Sequence, residues 1–256
     1  MYTTISWSGG KDSTASVILA HENNIQLDEI IFAEVMYDHK RNISGEKPEH
    51  ISFIYNVAIP TFKAWGYKVT VLRDKEDYLS LFYKQIGNRT KRPERIGKYM
   101  GYFLGGMCVG NGQLKMRPIR QYNKQLGEHK SIIGIAVDEP KRLSRLHNKP
   151  NTISLLEQYN INEQRALELC KSYNLLSPIY ERSYRGGCWF CPNQSLKELA
   201  SFKKQHYELW REFVSLGNSA NLVSRAFKYT ISIFDIDMQI DMINDQITID
   251  EFLKTC

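Results

Sequence analysis

A short apolar-centred run, Thr3 to Trp7, turns through Ser8, Gly9 and Gly10 into a segment where Ala15, Ile18, Leu19 and Glu22 recur at helical spacing. The pattern predicts a strand, a tight turn and a helix. Asp28 to Val35 is rich in Ile, Phe and Val and reads as a second, buried strand. Ile51, Ile54, Tyr55, Ala58, Ile59 and Phe62 then mark one face of a helix, with Pro48 in its first turn and Pro60 expected to kink or divide it. Gly66 ends that helix, Tyr67 to Leu72 reads as a third strand, and Ser131 to Val137 as a further buried one. Strands alternating with helices through short links predict an α/β fold with a Rossmann-like, doubly wound parallel sheet. Ligands of such sheets sit at the carboxyl ends of the strands, where the turn after Trp7 falls.

Beyond Asn151 the pattern becomes helical. Ser154 with Glu157 and Ser195 with Glu198 are capping-box pairs. Glu163 to Tyr173 carries a face of Ala166, Leu169, Cys170 and Tyr173, and a helix from Ser195 is expected to run to about Leu216. After Asn218 the periodicity is mixed, and Thr248 with Glu251 suggests a last short helix. The expected division is a nucleotide-binding α/β domain at 1–150 and a helical region at 151–256.

Composition narrows the class. At 256 residues, 42% hydrophobic and 24% charged, the chain is long enough to bury a substantial core. No apolar run approaches the length of a membrane span and no signal-peptide pattern precedes the first strand, so a cytoplasmic protein without a membrane partner is expected. A net charge of +6 suits an anionic substrate without demanding nucleic acid. Five cysteines in such a chain point to metal or redox chemistry rather than a disulfide framework.

The turn itself favours phosphate. Gly9 and Gly10 allow positive φ and a close backbone approach, and the unpaired N–H groups of the following helix converge where its dipole favours an anion. Ser8 and Ser13 add hydroxyls, Lys11 a cation, and Asp12 a carboxylate able to hold magnesium. The spacing fits neither a Walker loop, since Asp12 follows Gly10-Lys11, nor the three spaced glycines of a dinucleotide fingerprint. An ordinary turn rich in Gly and Ser is the plain alternative. Ser8-Gly9-Gly10-Lys11-Asp12-Ser13 resembles the PP-loop, SGGxDS, of the ATP pyrophosphatase superfamily, also described as adenine nucleotide alpha hydrolases. That resemblance implies ATP with magnesium as the bound species, pyrophosphate held by Ser8 to Ser13, and cleavage between the α and β phosphates.

The resemblance extends to the PAPS reductase-like branch through Cys108 followed by Lys115, Arg117 and Pro118. It implies that the basic residues Lys115 and Arg117 meet nucleotide or acceptor phosphates and that Cys108 can hold a metal cluster. Asp138-Glu139-Pro140-Lys141-Arg142 and Arg145 follow a strand end. The resemblance assigns Arg142 and Arg145 to substrate or acceptor phosphates, whereas the residues alone equally describe a charged helix start with pairs such as Asp138 with Lys141 or Arg142. On this reading Lys11, Asp12, Lys115 and Arg142 are the catalytic candidates. Lys84, Arg89, Lys91, Arg92, Arg95 and Lys98 against Glu94 make either a solvated loop or a basic flap for an anionic acceptor such as nucleic acid.

Tyr184-Arg185-Gly186-Gly187-Cys188-Trp189-Phe190-Cys191-Pro192 is a Cys-x-x-Cys knuckle able to place two thiolates on one ion. A complete site needs four ligands. Cys256 is terminal, so Cys108 and Cys170 are the candidates to complete it, for a [4Fe–4S] cluster or, in the alternative, zinc; a redox dithiol competes, and Cys170 equally suits a buried core position. The favoured activity is adenylation of an acceptor, for sulfur transfer or nucleic-acid modification, with a nucleic acid or sulfur-donor protein as partner. The second reading is an adenylyl-sulfate reductase, although the tail Leu253-Lys254-Thr255-Cys256 departs from the Glu-Cys-Gly-x-His segment of those enzymes. The third is a non-catalytic, nucleotide-binding iron–sulfur sensor.

Overall fold

The computed structural model describes residues 1–104, 108–181 and 186–255; Gly105, Gly106, Tyr184, Arg185 and Cys256 lie outside them. The chain forms two compact units, one of residues 1–35, 46–74 and 115–186, the other of residues 36–45, 75–114 and 187–256. The composition changes near residue 150, but packing assigns 151–186 to the first unit because its helices pack against the helix Lys11–Glu22 and Thr152–Ile153 extends the sheet.

In the first unit, β1 (Tyr2–Trp7) leads through the glycine turn into α1 (Lys11–Glu22) and then β2 (Glu29–Glu34). α2 (Pro48–Phe53) follows, continued by a π-helical turn at Ile54–Ala58 and a helical segment at Ile59–Ala64 before β3 (Lys68–Arg73). The expected effect of Pro60 is met by this π turn: proline has no N–H to give, and the helix widens ahead of it instead of breaking. α3 (Arg117–Leu126), β4 (His129–Ile133), α4 (Pro140–His147), β5 (Thr152–Ile153), α5 (Leu155–Gln158) and α6 (Glu163–Ser172) complete the unit. The fourth strand is shorter than Ser131 to Val137 and starts earlier, because Gly134 leaves the sheet to pass the start of α1.

The sheet order is β3-β2-β1-β4-β5, and every pairing is parallel. The chain thus builds outward from β1 on one side and then restarts at β4 on the other. That reversal makes the carboxyl end of β1 the switch point, where the two flanking connections diverge and leave a crevice. The core beneath it holds Ile5, Trp7, Ile18, Ile30, Phe32, Phe62, Ile132 and Leu155. Trp7, the last residue of β1, packs edge-on against Phe32 and Phe62 at centroid distances of 5.6 and 5.1 Å and donates its indole N–H to Thr14 Oγ1 at 2.9 Å. Burial of such aromatics is worth roughly 2–3 kcal/mol each, and here it fixes both ends of the turn.

The second unit is centred on aromatic rings, with Tyr37, Tyr78, Trp189, Phe190 and Phe213 in mutual contact. Its α-helices include Tyr78–Phe82, Leu196–Gln205, Tyr207–Ser215 and Ile233–Thr255. The Ser195 capping box forms as expected, but the helix it opens breaks at His206 instead of running to Leu216. The long last helix was not legible in the mixed pattern after Asn218; its side chains reach into the unit through ion pairs of Lys203 with Asp237 and Asp241. No helix among the described residues is long and apolar enough to cross a membrane.

Candidate functional site

The turn at the switch point is built for tight curvature. Gly9 has φ +74°, and a Cβ there would stand 2.6 Å from the His50 ring and 2.9 Å from Ile54. A side chain is excluded both by conformation and by space. Gly10 caps α1 with extended backbone and no side-chain cap, so the first N–H groups of the helix remain for other partners. Thr14 N–H is the first to bond within the helix, to Gly10 O at 3.0 Å. Among the described residues the N–H groups of Gly9, Asp12 and Ser13 have no acceptor.

Side chains brace the turn from both flanks. Ser13 Oγ accepts the Ser8 N–H at 3.1 Å and donates to Gly10 O at 3.0 Å; Ser8 Oγ lies 3.2 Å from it. From below, His50 Nε2 donates to Ser8 O at 3.2 Å, and Nδ1 accepts from Ser177 Oγ at 2.8 Å. The tautomer follows from Ser8 O, which can only accept. Burial pushes the His50 pKa below its ordinary value, so the ring is neutral and both bonds are satisfied. From the open side, Tyr180 Oη accepts the Lys11 N–H at 2.8 Å.

Lys11 is 8% exposed and its ammonium is shared by two carboxylates, Asp12 at 3.0 Å and Glu163 at 2.8 Å. Burial alone would lower its pKa, but the hydrogen bonds to Glu163 and Asp12 outweigh this and hold it up. Asp12 is raised, first by burial and then by the neighbouring charges of Glu163 and Glu139, against the opposing pull of Lys11. The acid is therefore in surplus around one ammonium. A divalent cation would relieve it, so Asp12 suits the magnesium that the motif implies. Glu163 is brought there by the N-terminus of α6, where its own N–H bonds Asp138 at 3.2 Å.

Other predicted residues fall into separate roles. Lys115 is half-buried just ahead of α3, close enough that its charge contributes to lowering the His50 pKa. Arg117 is bound bidentately to buried Asp74 at the end of β3 and serves the fold. Arg142 is exposed and paired with Glu139 at 2.5 Å across the first turn of α4, the local pairing that a charged helix start gives; Arg145 is exposed on the same helix. In the second unit, Arg89, Lys91, Arg92 and Lys98 are exposed on a loop closed by bonds such as Ile86 N–H to Lys98 O at 2.9 Å.

The four-cysteine site is not gathered. Among the described residues no group of three or more His, Cys, Asp or Glu side chains is placed to hold a metal. Cys170 is fully buried in the core of the first unit, with its thiol on Lys11 O at 3.2 Å and its pKa pushed up to about 12, chiefly by burial. It takes the core position that its place on the helical face allowed. Cys188 and Cys191 share one tight turn, with Cys191 N–H on Cys188 O at 3.0 Å and Gln194 Nε2 on the Cys188 and Trp189 carbonyls; Cys108 is half-buried in the same unit. The residues present do not fit a cluster or zinc held by Cys108, Cys170, Cys188 and Cys191 together.

Tyr180, Glu163, His50 and Ser177 were missed in the sequence. Each joins the turn from between 42 and 169 residues away, and Tyr180 carries no local signal beyond a short Ser-Pro-Ile-Tyr run.

No protein-family model matches the sequence, and no curated protein matches it. Among solved structures, the chain is similar to the phosphoadenylyl-sulfate (PAPS) reductase from Candida auris in its phosphate complex, with a TM-score of 0.45 and 10% identity over 73% of this chain and 80% of that one.

Proposed function

We propose that the protein is a nucleotide-processing enzyme that binds ATP, or a related adenine nucleotide, with its terminal phosphates in the Ser8–Ser13 turn, and transfers the adenylyl group to an acceptor. The observation that carries this reading is the set of unpaired N–H groups of Gly9, Asp12 and Ser13, converging at the N-terminus of α1 beside Lys11 and at the carboxyl end of the central strand. A set of free donors with a cation and a metal-competent carboxylate beside it is complementary to an anion, and to linked phosphoryl groups with their magnesium ion in particular.

An acceptor oxygen attacks the α phosphorus, the bond to the bridging oxygen breaks, and pyrophosphate leaves with the electron pair. Charge grows on the leaving group during this step, where the backbone donors and Lys11 meet it at no cost of reorganisation. Lys11 is held over the turn by Glu163 and Asp12, so exchanging one carboxylate partner for a phosphate keeps its charge compensated throughout. When bound, magnesium supplies neutralisation of the phosphate oxygens, with Asp12 as its protein ligand. The net positive charge of the chain and the exposed basic loop at 84–98 support an anionic acceptor, of which nucleic acid is one class; an adenylated acceptor is open to displacement by sulfur.

The test is pyrophosphate release from ATP and magnesium in the presence of cellular RNA or DNA. Asp12→Ala should remove turnover by at least a hundredfold with its melting temperature within a few degrees of the parent, because Lys11 keeps Glu163. Unchanged pyrophosphate release in that variant refutes the assignment.

A further inference from the structure

The first turn of α1 reserves one backbone donor for the protein and leaves its neighbours for a ligand. Lys11 N–H is taken by the hydroxyl oxygen of Tyr180, which also stands 3.2 Å from the place a Cβ on Gly10 would occupy. A phenol that accepts one hydrogen bond keeps its own proton to donate. Among the described residues that proton has no acceptor. Burial holds the phenol pKa above its ordinary value, so the proton stays in place across the neutral range. The ring rides on the turn Pro178–Glu181, whose Tyr180 N–H bonds Ser177 O at 3.2 Å, while the Ser177 hydroxyl holds His50 and His50 holds Ser8 O. Tyr180 is thereby tied to the same frame that shapes the turn.

We infer that Tyr180 completes the phosphate site, its hydroxyl donating to a non-bridging oxygen of the pyrophosphoryl group that the Ser8–Ser13 turn receives. The inference rests on the reading proposed above and adds a residue to it. No proton is transferred: the hydroxyl donates to the bound group before the α–β bond breaks and to the departing pyrophosphate afterwards, when charge on that group is greatest. A donor aimed at a charged oxygen is among the stronger hydrogen bonds a protein makes.

The test compares Tyr180→Phe with the parent protein by calorimetric titration of magnesium pyrophosphate, magnesium ATP and AMP. Loss of the hydroxyl should weaken pyrophosphate and ATP tenfold or more and leave AMP, which lacks the β–γ unit, within twofold. Equal weakening of all three assigns Tyr180 a purely structural role and overturns the inference, as does unchanged or tighter pyrophosphate binding by the variant. The parent protein supplies a check that needs no variant: pyrophosphate should produce a tyrosine difference spectrum in the near ultraviolet, and its absence is equally fatal. A parent protein that binds neither pyrophosphate nor ATP brings down the nucleotide reading itself; indifference confined to the variant brings down Tyr180 alone.

Discussion

Gly9 and His50 divide one small volume between them, and each sets a limit on what the other position accepts. Gly9→Ala places a methyl group 2.6 Å from the imidazole at a φ of +74°, so the turn must open or the ring must leave. Backbone strain of this kind costs roughly 1–3 kcal/mol, and the variant is expected to lose that much stability in denaturant titration and all measurable pyrophosphate binding. His50 supplies a pH dependence. Its folded pKa lies below its unfolded value, so the folded state binds fewer protons and the stability it contributes is full above the ordinary histidine value of about 6.5 and falls as pH drops through the folded pKa. The slope for one such proton is about 1.4 kcal/mol per pH unit at most. Thermal melts from neutral to mildly acidic pH should show His50→Gln less stable at neutral pH but with a flatter profile than the parent. Parallel profiles would remove His50 from the account. The glycines, hydroxyls, Lys11 and Asp12 were legible because they lie within six consecutive positions; His50 was not, because what makes it part of the site is a contact with Ser8 made by folding.

Elements deliver these residues with different margins. The strand–turn–helix from Tyr2 to Glu22 could be read from the pattern alone; so could β2, because a buried parallel strand is a largely apolar run, and the half-buried edge strand β3 from Val69, Val71 and Leu72. The end of β4 could not, since Ile133 to Val137 stays apolar although Gly134 has already left the sheet. The reason is proximity. A Cβ on Gly134 would stand 2.6 Å from Asp12 C and Ser13 N, so the chain leaving β4 lies directly against the first turn of α1. Gly134→Ala must push that turn away from β4, and backbone atoms cannot yield as a flexible side chain would. The expected result is a loss of pyrophosphate release of at least tenfold, together with destabilisation of roughly 1–3 kcal/mol. Wild-type turnover in this variant would show that the start of α1 tolerates displacement and that its N–H groups are not held for a ligand.

For the molecule as a whole, the sequence conveyed the class of fold but not how the chain is shared between its units. Each unit draws on three separate stretches of chain, and the crossings at residues 35, 45, 74, 114 and 186 do not coincide with the composition shift near residue 150. Cysteine placement shows the consequence. Spacing suggested one four-cysteine site, yet Cys170 belongs to the core of the first unit, while Cys108, Cys188 and Cys191 belong to the second. A thiol with no exposure and a pKa near 12 is neither accessible nor ionised at neutral pH, and only the thiolate reacts or ligates. Native protein treated with iodoacetamide at mildly alkaline pH should therefore carry the label on Cys108, Cys188 and Cys191, which are all half-buried, and none on Cys170 until denaturant is added. Mapping of the labelled peptides by mass spectrometry checks this, and rapid native labelling of Cys170 would contradict its burial. Cys170→Ala should in turn leave the iron and zinc content per chain of anaerobically purified protein at the parent value. It should also lower stability by roughly 1–2 kcal/mol through the lost thiol packing on α1. A metal content that falls with Cys170 would put the thiol back among the ligands and would require α6 to sit elsewhere than against α1.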